Sequence, residues 1–296
     1  MLRTGEAFRG AFSVAVTPPE GRGGLIKGVS GAWWVTPQEV SWETAVLQRG
    51  VALHVALGNG QKGAGLTGSI SGQLAMIKQL LTRDPSGVES LEAVRNGTWP
   101  LVVHVHQADA IAALLRLRDE VAPTVRLTVF GGAEAHLVAG KLAAADVPVV
   151  LAPPRAVPRS EFDHDRAVGG EESAAQKLHA AGVFVGMAGA AGPPTNLRWE
   201  AGLAVSAGVP RGAAMEMVTT NVAQAFGLQG NVGRIAVGQR AHFAVYSSDP
   251  LAIDSEVMIV GVGKTLSCRP PATPWDLPWA PDTHPRPAGF DWTHLG

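Results

Sequence analysis

Short, continuously apolar runs alternate with amphipathic stretches through the middle of the chain. The apolar runs predict buried strands at residues 51–57, 101–106, 125–130, 147–152 and 183–187. The amphipathic stretches predict helices at residues 109–121, 133–146, 171–181, 196–207 and 211–226. Strands that are apolar on both faces and alternate with helices of about 10–15 residues are typical of parallel β/α units. Such units form either an open doubly wound sheet or a barrel, and the periodicity does not choose between them.

The pattern changes after Leu228, where short β-like pieces replace the long helices. Two of these pieces are residues 234–237 and 242–246, and the glycine-containing segment 257–266 predicts a hairpin. The sequence therefore predicts a small β unit that follows the β/α region.

The two ends of the chain show neither the strand-like nor the helix-like pattern. Residues 1–50 are expected to be an irregular segment. Residues 268–296 are rich in proline and tryptophan, which argues against a helix or a central strand. We expect Trp275, Trp279 and Trp292 in this tail to pack back onto the body. The predicted parts are 1–50, 51–228 (β/α), 229–267 (β unit) and 268–296 (tail).

Composition removes several classes of partner. The formal net charge is -1, so there is no electrostatic basis for binding nucleic acid or an anionic membrane. The single cysteine, Cys268, excludes an internal disulfide framework. We find neither a signal peptide nor an apolar run long enough to span a membrane, and we expect a cytoplasmic protein.

His104 and His106 give the clearest chemical signal. Residues two apart on a strand face the same side, and these two end a predicted parallel strand, where barrel active sites lie. A His-x-His pair can present two nitrogens to one zinc ion. His54, on the preceding strand, is a third candidate ligand. Further candidates are Glu134, His136, Asp163, His164 and Asp165.

Glycine-rich segments suggest nucleotide binding only weakly. Residues 58–63 match G-x-G-x-x-G after a strand, but a dinucleotide site needs a second strand, ending in an acid, about 20 residues later. The chain has a turn at residues 82–85 instead, so an ordinary loop is favoured. Residues 263–265 resemble the end of a phosphate-binding loop without the helix that should follow. Serine hydrolase and H-E-x-x-H motifs are not found.

Several segments together resemble the imidazolonepropionase-like branch of the amidohydrolase superfamily. Residues 101–117 resemble the fifth barrel strand and helix of that branch, and residues 125–154 resemble the strand, helix and strand that follow. Residues 196–251 are most specific, because the family pattern G-x-I-x-x-G-x-x-A-x-x-x-V and a following DPL recur there. Those positions are Gly233, Ile235, Gly238, Ala241, Val245 and Asp249-Pro250-Leu251. The resemblance implies an α/β fold, an incomplete (β/α)8 TIM-like barrel with a small C-terminal β-sandwich remnant.

The resemblance also implies a chemistry. Members hydrolyse carbon–nitrogen bonds other than peptide bonds in small molecules, using water on zinc or another divalent metal. His104 matches the fifth-strand ligand. The sixth-strand histidine and the eighth-strand aspartate have no counterpart at residues 130–132 and 187–189, and the first-strand His-x-His has none.

The expected function is therefore a metal-dependent amidohydrolase, impaired because most ligands are missing. The alternative is a catalytically inactive module for binding or assembly. Because an incomplete barrel has open strand edges, we also expect self-association or a partner chain that completes the barrel.

Overall fold

The computed structural model describes residues 7–8, 10–17, 19, 24–35, 42–152, 173–189, 197–263 and 265–268. Its strands are β1 (Val14–Thr17), β2 (Ile26–Trp34), β3 (Val46–Ala56), β4 (Leu101–Val105), β5 (Leu127–Gly131), β6 (Val149–Leu151), β7 (Val185–Met187), β8 (His242–Tyr246), β9 (Val257–Val262) and β10 (Thr265–Cys268). Its α-helices are α1 (Trp42–Ala45), α2 (Ile70–Thr82), α3 (Glu89–Arg95), α4 (Ala108–Val121), α5 (Ala139–Ala144), α6 (Ala174–Ala180), α7 (Leu197–Ser206), α8 (Arg211–Met217) and α9 (Thr220–Ala225).

Seven strands form one sheet in the order of the chain, from β1 to β7. β1, β2 and β3 pair antiparallel. All pairings from β3 to β7 are parallel, and α2 to α6 connect these strands. The sheet curls into a half-barrel, which confirms the incomplete TIM-like barrel.

The first 50 residues differ from the sequence prediction, because they are not irregular where the structure describes them. They contain β1, β2 and the start of β3, which begins at Val46 rather than at Val51. The β2–β3 register shifts between Ile26 and Gly28 and twice more before Trp33. Such bulges interrupt the alternation of apolar and polar residues by which a strand is recognised. The division of the chain into four parts stays a prediction.

The parallel strands bury both of their faces. On the outer face, Leu53 and Val103 pack with apolar residues of the surrounding helices in the main core. On the concave face, Ala52 and Val102 belong to a second cluster with Phe226, which follows α9. Helix α9 therefore fills part of the concave face.

Two hydrogen bonds hold α9 in that position. The Thr128 hydroxyl donates to the Ala225 carbonyl over 3.2 Å, and the Asn221 amide donates to the Val185 carbonyl over 2.7 Å. The single helix predicted at residues 211–226 is broken into α8 and α9 around Thr219, whose hydroxyl donates to the Met215 carbonyl. The predicted helix at 133–146 likewise begins with a 3-10 turn at Ala135–Val138.

A second sheet has the order β10-β9-β8 and is antiparallel. The predicted hairpin is confirmed, and Gly263 adopts the left-handed φ of +62° at its turn. Val260 and Val262 pack against Phe8 and Val35 near the start of the chain. Residues 234–237, predicted as a strand, are not one, and Val237 is fully exposed.

None of the helices in the described ranges is long and apolar enough to cross a membrane. The three tryptophans expected to pack back from the tail lie outside the described residues.

Candidate functional site

Two of the three predicted metal-facing histidines, His54 and His104, share the concave face near the carboxyl ends of β3 and β4. In the parallel register His54 lies beside Val102, and His104 lies beside Ala56. Because residues two apart on a strand face the same side, His54 and His104 become diagonal neighbours, and His106 follows just after β4. The sequence predicted a shared side for His104 and His106 and offered His54 as a third candidate, and the strand register brings His54 and His104 together.

His54 and His104 bond directly to each other. Nδ1 of His54 lies 2.9 Å from Nε2 of His104, and Nε2 of His54 lies 2.9 Å from the hydroxyl of Ser30. Ser30 and His54 are fully buried, whereas His104 is partly buried. The two rings also lie near aromatic partners, with Phe130 4.6 Å from His104 and Phe226 6.2 Å from His54 between ring centroids.

Both imidazoles are neutral at physiological pH. Burial is the main reason that the pKa of His54 falls to about 3, and the neighbouring His104 adds to the effect. Burial also dominates for His104, whose pKa falls to about 4 with further contributions from the charges of Lys27 and His106. The cause is that a low-dielectric interior disfavours the charged form.

His106 sits apart from this pair, over the end of β5. Gly131 there has a φ of +103°, and a Cβ at that position would lie only 2.7 Å from Cε1 of His106. Glycine therefore allows the backbone of β5 to approach the ring. Nδ1 of His106 is buried without a hydrogen-bond partner among the described residues.

The remaining candidate ligands are placed elsewhere. The Glu134 carboxylate accepts a hydrogen bond from the Ala108 amide over 2.9 Å, so it caps the first turn of α4. His136 lies on the 3-10 turn before α5, where burial lowers its pKa. Asp163, His164 and Asp165 lie outside the described residues.

The glycine-rich segment after β3 is an ordinary loop, as the sequence favoured. The buried side chain of Gln73 accepts from the Gly58 amide over 2.9 Å and donates to the Gly58 and Thr67 carbonyls. The next α-helix begins only at Ile70. The loop amides therefore do not form the helix N-terminus that binds a pyrophosphate.

These side chains do not fit a catalytic metal ion. Within the described ranges, no group of three or more histidine, cysteine, aspartate or glutamate side chains could hold one. Catalytic zinc usually has three protein ligands and an open position. His54 and His104 instead use their facing nitrogens for one another.

Sequence reasoning missed three residues that shape the site. Phe130 could have been placed beside His104, because it ends the predicted strand at residues 125–130, and the β4–β5 register pairs it with His104. Ser30 carried no signal, since it lies between the bulges of β2. Phe226 reaches His54 only through the packing of α9, which no local pattern reveals.

A family model matches part of the chain, and a solved structure shares its fold. The family model described as Amidohydrolase family matches residues 195–265, from α7 to the second sheet. An amidohydrolase from Thermotoga maritima MSB8 has a similar structure, with a TM-score of 0.76 and 20% sequence identity over 90% of this chain and 74% of that one. The fold is therefore shared, while the identity is too low to transfer an activity.

A second structure is less similar. Ochratoxinase from A. niger aligns with a TM-score of 0.45 and 17% identity over 81% of this chain and 60% of that one, which is too weak to support an inference. No curated protein matches the sequence.

Proposed function

We propose that this chain, a protein of the amidohydrolase superfamily, is an impaired hydrolase of carbon–nitrogen bonds other than peptide bonds. The observation that carries the proposal is the concave face at the carboxyl ends of β3 and β4, which holds His54 and His104, with His106 just after the end of β4. Active sites of β/α barrels lie at that end of the strands. Small cyclic amides are the substrate class that the family resemblance favours.

The same side chains are the reason that we propose a weak activity. The described donors fall short of a metal site, so this part of the chain has no strong means of activating water. The pKa of His104 is lowered to about 4, mainly by burial. A base this weak removes a proton slowly, because the efficiency of general base catalysis falls with the pKa of the base.

A second candidate function is a module for binding or assembly without catalysis. It is favoured by the full burial of His54 and by its two hydrogen bonds, to His104 and to Ser30. In that case both imidazoles stabilise the interior of the half-barrel and do not act on a substrate.

An assay of the purified full chain separates the two candidates. Hydrolysis of a panel of cyclic amides would be measured for the chain, for His106→Ala and for His179→Ala, in the presence of added zinc. His106 is the better variant, because its Nδ1 has no partner to lose among the described residues. His179 lies in the last turn of α6 and serves as the matched control.

If the chain is a hydrolase, we expect slow turnover that His106→Ala reduces at least about tenfold, as is typical for the loss of one catalytic side chain. His179→Ala should leave the turnover unchanged. Turnover no higher than that of His106→Ala would overturn the hydrolase in favour of the inactive module. Rapid turnover with a full zinc site would contradict the impairment.

A further inference from the structure

A chain of hydrogen bonds runs through the interior from β2 to β4. It joins the Ser30 hydroxyl to Nε2 of His54, and Nδ1 of His54 to Nε2 of His104, each over 2.9 Å. Ser30 can also donate to the Ala52 carbonyl, at 3.5 Å. Ser30 and His54 are fully buried, so water cannot replace either partner.

The proton positions along this chain are coupled. A neutral imidazole has one N–H and one unprotonated nitrogen, and each bond needs one donor and one acceptor. Burial in a low-dielectric interior disfavours the charged form of both rings, so neither supplies a second N–H. If His54 carries its proton on Nε2, then His104 must also carry its proton on Nε2. If His54 carries its proton on Nδ1 instead, then His104 must carry its proton on Nδ1.

The Ala52 carbonyl selects one of these two directions. When His104 donates to His54 and His54 donates to Ser30, the hydroxyl of Ser30 is free to donate to Ala52, so that a long, weaker third bond joins the two short ones. In the reverse direction the Ser30 hydroxyl donates its only hydrogen to His54, and two hydrogen bonds form. Buried polar groups favour the arrangement that satisfies more of them.

We propose that Ser30 and His54 are positioning residues that hold His104 as its Nε2–H tautomer, so that Nδ1 is the acceptor His104 offers to a ligand. The ligand class is a small molecule that donates a hydrogen bond, such as an amide N–H. This assignment of a ligand rests on the proposed function, whereas the tautomer does not.

The test is the tautomeric state of each ring by two-bond ¹H–¹⁵N correlation NMR on the ¹⁵N-labelled full chain. His54 and His104 are expected to show protonated Nε2 and unprotonated Nδ1. A protonated Nδ1 on His104 in the wild-type chain overturns the proposal without any variant.

Three variants test the role of Ser30. Ser30→Ala removes the acceptor of His54 and is expected to give His104 a mixture of tautomers, while Ser30→Thr keeps a hydroxyl and the single tautomer. Thr128→Val is the matched control, because it removes a buried hydroxyl from the same face, one bonded to Ala225 instead. A pure Nε2–H state of His104 in Ser30→Ala would show that Ser30 does not position it.

The spectra need no turnover, so the two proposals can fail separately. An inert chain with the Nε2–H tautomer would overturn the hydrolase and support the positioning role. Turnover with the Nδ1–H tautomer would do the opposite.

Discussion

Single buried side chains control the chemistry of the concave face. His54 and His104 are held neutral mainly by burial, and they form a hydrogen bond with each other. Their lowered pKa values make both histidines poor bases. The same lowered pKa values make the stability of the fold depend on acidic pH. Gly131 provides a second example, because the lack of a side chain there gives His106 its place.

We expect stability to fall as the pH falls from about 6.5 to about 4. An unfolded histidine binds a proton near its ordinary pKa of 6.5, whereas folded His54 and His104 stay neutral until the pH approaches 3 to 4. The unfolded state therefore binds more protons in this window, and each histidine lowers the free energy of unfolding by about 1.4 kcal/mol per pH unit. Urea unfolding would measure the slope. A His54→Gln variant with the wild-type slope would contradict the account.

Gly131→Ala is expected to destabilise the protein by about 1–3 kcal/mol, because the new Cβ meets His106 and the φ of +103° disfavours alanine. Gly140→Ala is the control. Gly140 is exposed in α5 with nothing near its Cβ position, so alanine should stabilise by about 0.5–1 kcal/mol. Equal effects of the two substitutions in urea unfolding would refute this explanation.

Among the elements, α7 links the half-barrel to the second sheet. The Arg198 guanidinium donates from Nη1 to the carbonyls of Pro250 and Ala252, at 2.9 Å and 3.0 Å, and from Nη2 to that of Ser255. These bonds fix the segment that leads into β9. The family match over residues 195–265 spans this link.

Arg198→Ala should therefore cost about 2–4 kcal/mol, because it leaves three carbonyls without their charged donor. Arg116→Ala removes an exposed arginine on α4 and should change the free energy of unfolding by less than about 0.5 kcal/mol. Unfolding curves for both variants would decide, and a loss in Arg198→Ala no larger than in Arg116→Ala would count against the link.

The sequence predicted the elements whose apolar pattern is regular. β4 to β7 and the part of β3 from Val51 onward are largely apolar, and the hairpin of β9 and β10 turns at glycine, so these elements were found. β2 was missed because register shifts against β3 break its period, and β1 is only four residues long. The irregular β2–β3 register also left Ser30 without a recognisable pattern. The sequence therefore did not predict that His54 would bond to both Ser30 and His104.

For the molecule as a whole, the half-barrel leaves two sheet edges. Among the described residues, β1 and β7 each pair on one side only. An unpaired edge presents backbone donors and acceptors that another chain can use. Completion of the sheet by a second copy is therefore a consistent extension of the fold.

We expect the purified chain to self-associate, with a mass by light scattering that rises with concentration in the micromolar range. The physical reason is the pairing of backbone groups along β1 or β7. A constant monomer mass over that range would contradict this expectation.

The central proposal is that the described histidines of the half-barrel do not hold a catalytic metal ion. Elemental analysis of zinc in the purified full chain, in His104→Ala and in the control His179→Ala tests it most directly. We predict zinc far below one ion per chain and the same low content in all three proteins. About one zinc per chain, lost in His104→Ala and kept in His179→Ala, would contradict the claim.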